Sequence, residues 1–90
     1  MIPFFQRWIS HRRAIRLRWQ VDARLLAGLD PTGAYYEAQR RALRSRWQGD
    51  FHEYWHWAKV ASEIARIEPR AEMDFEILKD LADREDAGRR

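Results

Sequence analysis

The chain contains no cysteine, so it has no disulfide framework, no thiolate nucleophile and no cysteine-based metal site. Glycine and proline are scarce, four and three in 90 residues, which argues against an all-β architecture with its many turns. No apolar run approaches the roughly 18 residues of a transmembrane helix. Acidic residues are missing from positions 1–21 altogether. Lysine is rare as well: 15 of the 17 basic residues are Arg, leaving Lys59 and Lys79.

What remains is a small, charged, aromatic chain. With 46% hydrophobic and 34% charged residues it fits a globular protein and not a disordered one. At this length a single domain over 1–90 is expected, burying about 60–65% of its unfolded surface. The net charge of +3 hides an asymmetry. Residues 1–48 carry ten Arg against Asp22, Asp30 and Glu37, whereas residues 49–90 carry seven basic and eleven acidic residues. A basic half joined to an acidic half predicts internal ion pairing.

Helical periodicity runs through most of the chain, and no segment alternates with period two. The fold expected is all-α: a small bundle of three to four helices with a long first helix. Helices are placed at about 3–27, 34–48, 51–68 and 70–83, with a frayed tail over 85–90. Pro3 suits a first turn and Gly28 a position just past a helix end. Leu29-Asp30-Pro31-Thr32-Gly33 reads as a turn. Gly49 closes the second helix, whose apolar stripe is Tyr36, Leu43 and Trp47. Asp50 and Glu53 then have capping-box spacing for the third. That third helix is apolar around most of its circumference and should touch two neighbours, its Ala58, Ala61 and Ala65 row allowing close approach. Pro69 stops it. The fourth carries stripes Ala71, Phe75, Leu78, Ala82 and Met73, Ile77, Leu81.

One internal repeat stands out. Residues 12–22 read RRAIRLRWQVD and residues 40–50 read RRALRSRWQGD, identical at eight of eleven positions. Each copy places an Arg cluster, Arg12, Arg13, Arg16 or Arg40, Arg41, Arg44, beside an aromatic stripe. Two copies are too few for a solenoid. Either two helices of one hairpin met similar packing demands, or the clusters are matched patches for an anionic partner.

The sharpest catalytic pattern is His52-Glu53-Tyr54-Trp55-His56, which matches H-E-x-x-H. On a helix the two imidazoles share a face and can bind zinc, with Glu53 polarising a water. No third ligand is marked, and Glu53 already has a capping role. The motif opens on the first turn of its helix, where a deep cleft is hard to build. The match is read as fortuitous, the two His as residues of a polar strip, and the chain as neither an enzyme nor a holder of metal or cofactor.

Five Trp are too many for the core of so short a chain, and Trp, Tyr and Arg dominate binding hot spots. The reading is therefore a protein-interaction module, regulatory or accessory, or a homodimer, binding through Arg12, Arg13, Arg16, Arg40, Arg41, Arg44, Trp8, Trp19, Trp47 and Trp57. Two alternatives stand beside it. The Arg clusters would suit a nucleic-acid backbone. The basic amphipathic segment 1–20, with Phe4, Phe5, Trp8, Ile15 and Trp19 in one arc, would suit an anionic membrane surface. Arginines interrupt every apolar stretch there, which does not fit a secretory signal, and a cytoplasmic location is expected.

Overall fold

The computed structural model describes residues 4–89, with the side chains of residues 6–88. Pro3 and the Phe4 and Phe5 side chains, to which a helix start and part of an aromatic arc were assigned, lie outside these described residues. Four helices follow in order: α1 (Phe4–Leu29), α2 (Ala34–Trp47), α3 (Phe51–Ile67) and α4 (Phe75–Arg89). No strand occurs among the described residues, so the protein is the all-α bundle with a long first helix that its periodicity implies.

Local chemistry sets the boundaries. α1 continues through Gly28 because Asp30 N–H still donates to the Leu26 carbonyl at 3.0 Å. Gly28 is therefore helical and not a cap. The Asp30 carboxylate then organises the turn, its Oδ1 accepting from Thr32 Oγ1 and Gly33 N–H, both at 3.2 Å. A Cβ at Gly33 would lie 2.4 Å from Asp30 Oδ2, so a side chain there would displace the carboxylate.

α2 ends in a Schellman motif. Gly49 is left-handed at φ 78°, its N–H donates to Arg46, and Asp50 N–H donates to the Ser45 carbonyl at 2.9 Å. Asp50 also caps α3, its carboxylate accepting from Glu53 N–H at 3.1 Å. Only half of the expected capping box forms. Asp50 N–H is already bound in the Schellman motif, so the Glu53 side chain has no donor to reach back to and pairs with Arg18 instead, at 2.8 Å.

The fourth helix departs most from the periodic reading. Residues 70–74 are not helical, and α4 starts at Phe75. Asp74 caps it by accepting from Glu76 N–H at 2.8 Å, while its own N–H donates to Tyr36 Oη at 2.7 Å. Glu72 N–H reaches the Thr32 carbonyl at 3.1 Å, tying this connection to the α1–α2 turn. At the other end α4 continues to Arg89 where a frayed tail was expected.

α2 touches all three other helices, and α3 touches α1 and α2. The core is built from small residues: Ala23 and Leu26 of α1, Ala34 and Ala38 of α2, Val60, Ala61 and Ile64 of α3. The alanine row that lets helices approach closely lies on α2, as Ala34, Ala38 and Ala42, rather than on α3, where Ala61 is buried but Ala65 is exposed. The expected α2 stripe is displaced accordingly, with Leu43 half-buried and Trp47 at the surface. On α4 the buried face is Leu78, Leu81 and Ala82, drawn from both expected stripes, and Phe75 is exposed.

None of the five Trp is buried: Trp19 and Trp57 are half-buried, and Trp8, Trp47 and Trp55 are exposed. The radius of gyration, 15.0 Å, exceeds the roughly 12 Å of a compact chain of this length. The excess reflects α1, whose 26 residues span about 39 Å. Nearly every side chain from Gln6 to Arg18 is exposed around the full turn of that helix.

Candidate interaction surface

The two copies of the repeat fall on successive helices and meet different surroundings. In the second copy, Arg40 and Arg41 both grip Glu37, at 2.6 and 2.9 Å. Arg41 also stacks over Trp57, 4.6 Å from its ring centroid, which holds Trp57 half-buried within the bundle. Arg44 lies 3.6 Å from Glu85 of α4. Arg44–Glu85 joins the basic half to the acidic half, as Arg18–Glu53 does from the first copy, whereas Arg40 and Arg41 are paired within the basic half by Glu37.

In the first copy, no carboxylate among the described residues lies within salt-bridge distance of Arg12, Arg13 or Arg16, all exposed. Arg12 stacks on Trp8, 4.8 Å from its ring. Of α1's charges only Arg18 has a direct partner in an exposed pair, Glu53, whose hydrogen bond raises the guanidinium pKa and keeps it more firmly charged. Further along α3, Arg66 holds the Glu63 carboxyl below its ordinary value, and Arg70 does the same for Glu68 through side-chain and backbone donors. The α3 end of the bundle is therefore locally neutralised, and α1's N-terminal half is not.

Beside that half runs a groove between α1 and α3. It consists of two adjoining hollows of about 340 and 290 Å³ that share Ile15, Trp19 and Lys59. His52, Trp55, His56 and Arg18 line the first, and Arg12 and Arg16 the second. Lys59 Nζ sits 5.6 Å from the Trp19 ring centroid, bringing a cation over an aromatic floor. Trp55 is 61% exposed at the edge. The groove is thus apolar at its base and cationic along its α1 rim.

The H-E-x-x-H residues are distributed to separate tasks. His56 is buried, not on a polar strip, and its Nε2 lies 2.6 Å from Asp22 Oδ2, with the ring edge-on to Trp57 at 4.9 Å. Glu53 pairs with Arg18, and His52 is exposed. Among the described residues no cluster of three or more His, Cys, Asp or Glu gathers to hold a metal ion. Asp22 and His56, the pair that joins α1 to α3, are 34 positions apart, and nothing local in the sequence couples them.

Of the nominated residues, Trp8, Arg12, Arg13, Arg16 and Trp19 share the α1 surface. Arg40 and Arg41 are partly exposed around Glu37, with Arg41 stacked on half-buried Trp57, while Arg44 and Trp47 line a hollow against α4. Trp55 was not nominated; its place on the exposed side of an apolar helix was its only signal. Also missed was a row on the back of α1, away from α3: Leu17, Val21 and Leu25, 60, 58 and 57% exposed. Their spacing of four was the available sign.

The fold and surface define a small all-α protein with an aromatic, arginine-lined groove on a projecting helix. Comparison of the chain with protein-family models, with curated proteins and with solved structures gives no match. No described helix is long and apolar enough to cross a membrane.

Proposed function

We propose that the protein is a cytoplasmic protein-interaction module, a regulatory or accessory subunit, that binds an acidic segment carrying apolar anchors in the α1–α3 groove. The observation that carries this reading is the contrast of charge within one surface. Arg12 and Arg16 stand without carboxylate partners among the described residues, above a floor of Ile15 and Trp19 with Trp55 at the groove's edge. Exposed aromatic and Arg residues around a hollow are the composition of binding hot spots. Cations left unpaired at the rim steer an acidic partner and fix its register. Arg18, Lys59 and His52 extend the same rim.

The nucleic-acid alternative is weaker because it called on both Arg clusters, and Arg40 and Arg41 are engaged by Glu37. The two readings separate in one titration. The probes are a labelled random DNA duplex and a labelled acidic peptide of about ten residues with two aromatic anchors, too short to hold a helix alone. The peptide is expected to bind, and Trp55→Ala is expected to weaken it by roughly tenfold or more, the scale of a hot-spot truncation. Tight duplex binding with a log–log salt slope near −0.9 per phosphate contacted, and no peptide binding, would transfer the surface to nucleic acid.

A further inference from the structure

The back of α1 is a second, distinct surface. Ala14, Leu17, Val21, Leu25 and Gly28 follow one another at steps of three, four, four and three residues. At 100° per residue they fall within an arc of about 80°. This is the narrow, coiled-coil type of seam, not a broad amphipathic face. All five are exposed. The row runs for about 21 Å.

Two further observations say what kind of object covers it. The first is the repeat. Ala14 and Leu17 correspond to Ala42 and Ser45 of α2, and Ser10 corresponds to Ala38. On α2 that face is buried, with Ala38 packed against Val60, Ala61 and Ile64 of α3. The face that α2 closes with a helix is the face that α1 leaves open. The second is Gly28, which sits in helical conformation where an added Cβ would meet nothing within 4 Å. The row's C-terminal end is thus open to close approach by a crossing helix.

Charge decides whose helix it is. At 100° per residue Arg13 and Arg24 border one side of this row and Arg7 lies at its other edge, while α1's single acid, Asp22, faces His56. A second copy's α1 would set arginines against arginines, and the apolar faces of its α3 and of its acidic α4 are already packed within its own bundle, α4 through Leu78, Leu81 and Ala82 against α2. Lipid is disfavoured by the narrowness of the row and by the lack of Trp or Phe in it, the usual anchors of a helix lying on a membrane.

We infer that the back of α1 seats an amphipathic helix of a partner protein, at least four turns long, with Leu-type residues in the seam and Glu or Asp flanking it. This rests on the protein-interaction reading and adds a site separate from the α1–α3 groove.

The test uses the full chain and a labelled 22-residue designed peptide with Leu at the seam positions and Glu beside them. A twin with Lys in place of Glu is the charge control. The Glu peptide is expected to bind and gain helicity on binding, and the Lys twin to bind at least tenfold more weakly. Val21→Glu is expected to weaken the Glu peptide at least tenfold. Gly28→Ala is expected to weaken it several-fold while raising Tm, an effect that loss of folding cannot mimic. Equal binding of both twins, or binding indifferent to Val21→Glu, overturns the inference. So does a dimer in sedimentation that Val21→Glu dissolves, which would assign the row to a second copy. Binding to phosphatidylserine vesicles that Val21→Glu abolishes would assign it to lipid and overturn it equally. If the short acidic peptide still binds in the groove when the long one fails, this inference falls alone; if neither binds, the function reading falls with it.

Discussion

Residues 12–22 and 40–50 are nearly the same sequence in two environments. At the third position of the repeat, Ala14 faces solvent and Ala42 is 2% exposed. At the first two, Arg12 and Arg13 have no carboxylate partner among the described residues, whereas Arg40 and Arg41 share Glu37. At the last, Asp22 reaches across to buried His56, whereas Asp50 caps the next helix. The substituted positions explain much of the divergence. Leu17 becomes Ser45, whose hydroxyl turns back to the Arg41 carbonyl at 2.9 Å and fits a buried helix face. Val21 becomes Gly49, which supplies the left-handed turn that ends α2, while α1 runs on for two more turns. An arginine-rich helix thus serves as scaffold where an acid lies within reach on its own or a neighbouring helix, and as an open surface where none does.

The largest test of this contrast is steric. Ala42→Trp forces a large ring into the α2 interior and should cost about 3 kcal/mol, the upper end for overpacking. For a chain of this size that lowers Tm by more than about 10 °C. Ala14→Trp, the same change in the first copy, should alter stability by no more than about 0.5 kcal/mol. Thermal unfolding followed by circular dichroism reads both. Equal losses would mean that the back of α1 is packed within the chain.

The repeat's closing aspartates should differ next. Asp22→Ala leaves the His56 imidazole buried without its partner and should cost about 1–3 kcal/mol. Asp50→Ala removes one helix cap and should cost about 1 kcal/mol. Denaturant midpoints order the two. A harmless Asp22→Ala would mean that the α1–α3 junction does not depend on this pair.

Much of the fold was legible locally. Asp30-Pro31-Thr32-Gly33, Gly49-Asp50 and Pro69 mark three helix boundaries by their own chemistry. The start of α4 was not, because Ala71, Phe75 and Leu78 keep helical spacing through a segment that is not helical. The cap at Asp74 is completed by Tyr36, 38 residues away. The buried face of α2 was obscured for a different reason. Alanines carry little apolar signal beside Leu43 and Trp47, yet small residues are what close helix contact requires. At the candidate surface, the pairing of Arg40 and Arg41 was legible, because Glu37 stands three and four residues before them on one helix while positions 1–21 hold no acid. The Arg44–Glu85 contact was not, because it joins α2 to α4 and depends on how the bundle closes.

The most direct measurement compares charge reversal in the two copies, Arg12→Glu with Arg16→Glu against Arg40→Glu with Arg41→Glu, reading Tm and binding of the short acidic peptide together. The Arg40 and Arg41 pairs are partly exposed and screened, so each contributes only a few tenths of a kcal/mol, and repulsion from Glu37 adds to their loss. The account predicts that the second-copy variant lowers Tm by a few degrees and still binds, while the first-copy variant keeps the wild-type Tm and no longer binds. A first-copy variant that unfolds early, or one that binds as well as wild type, would contradict it.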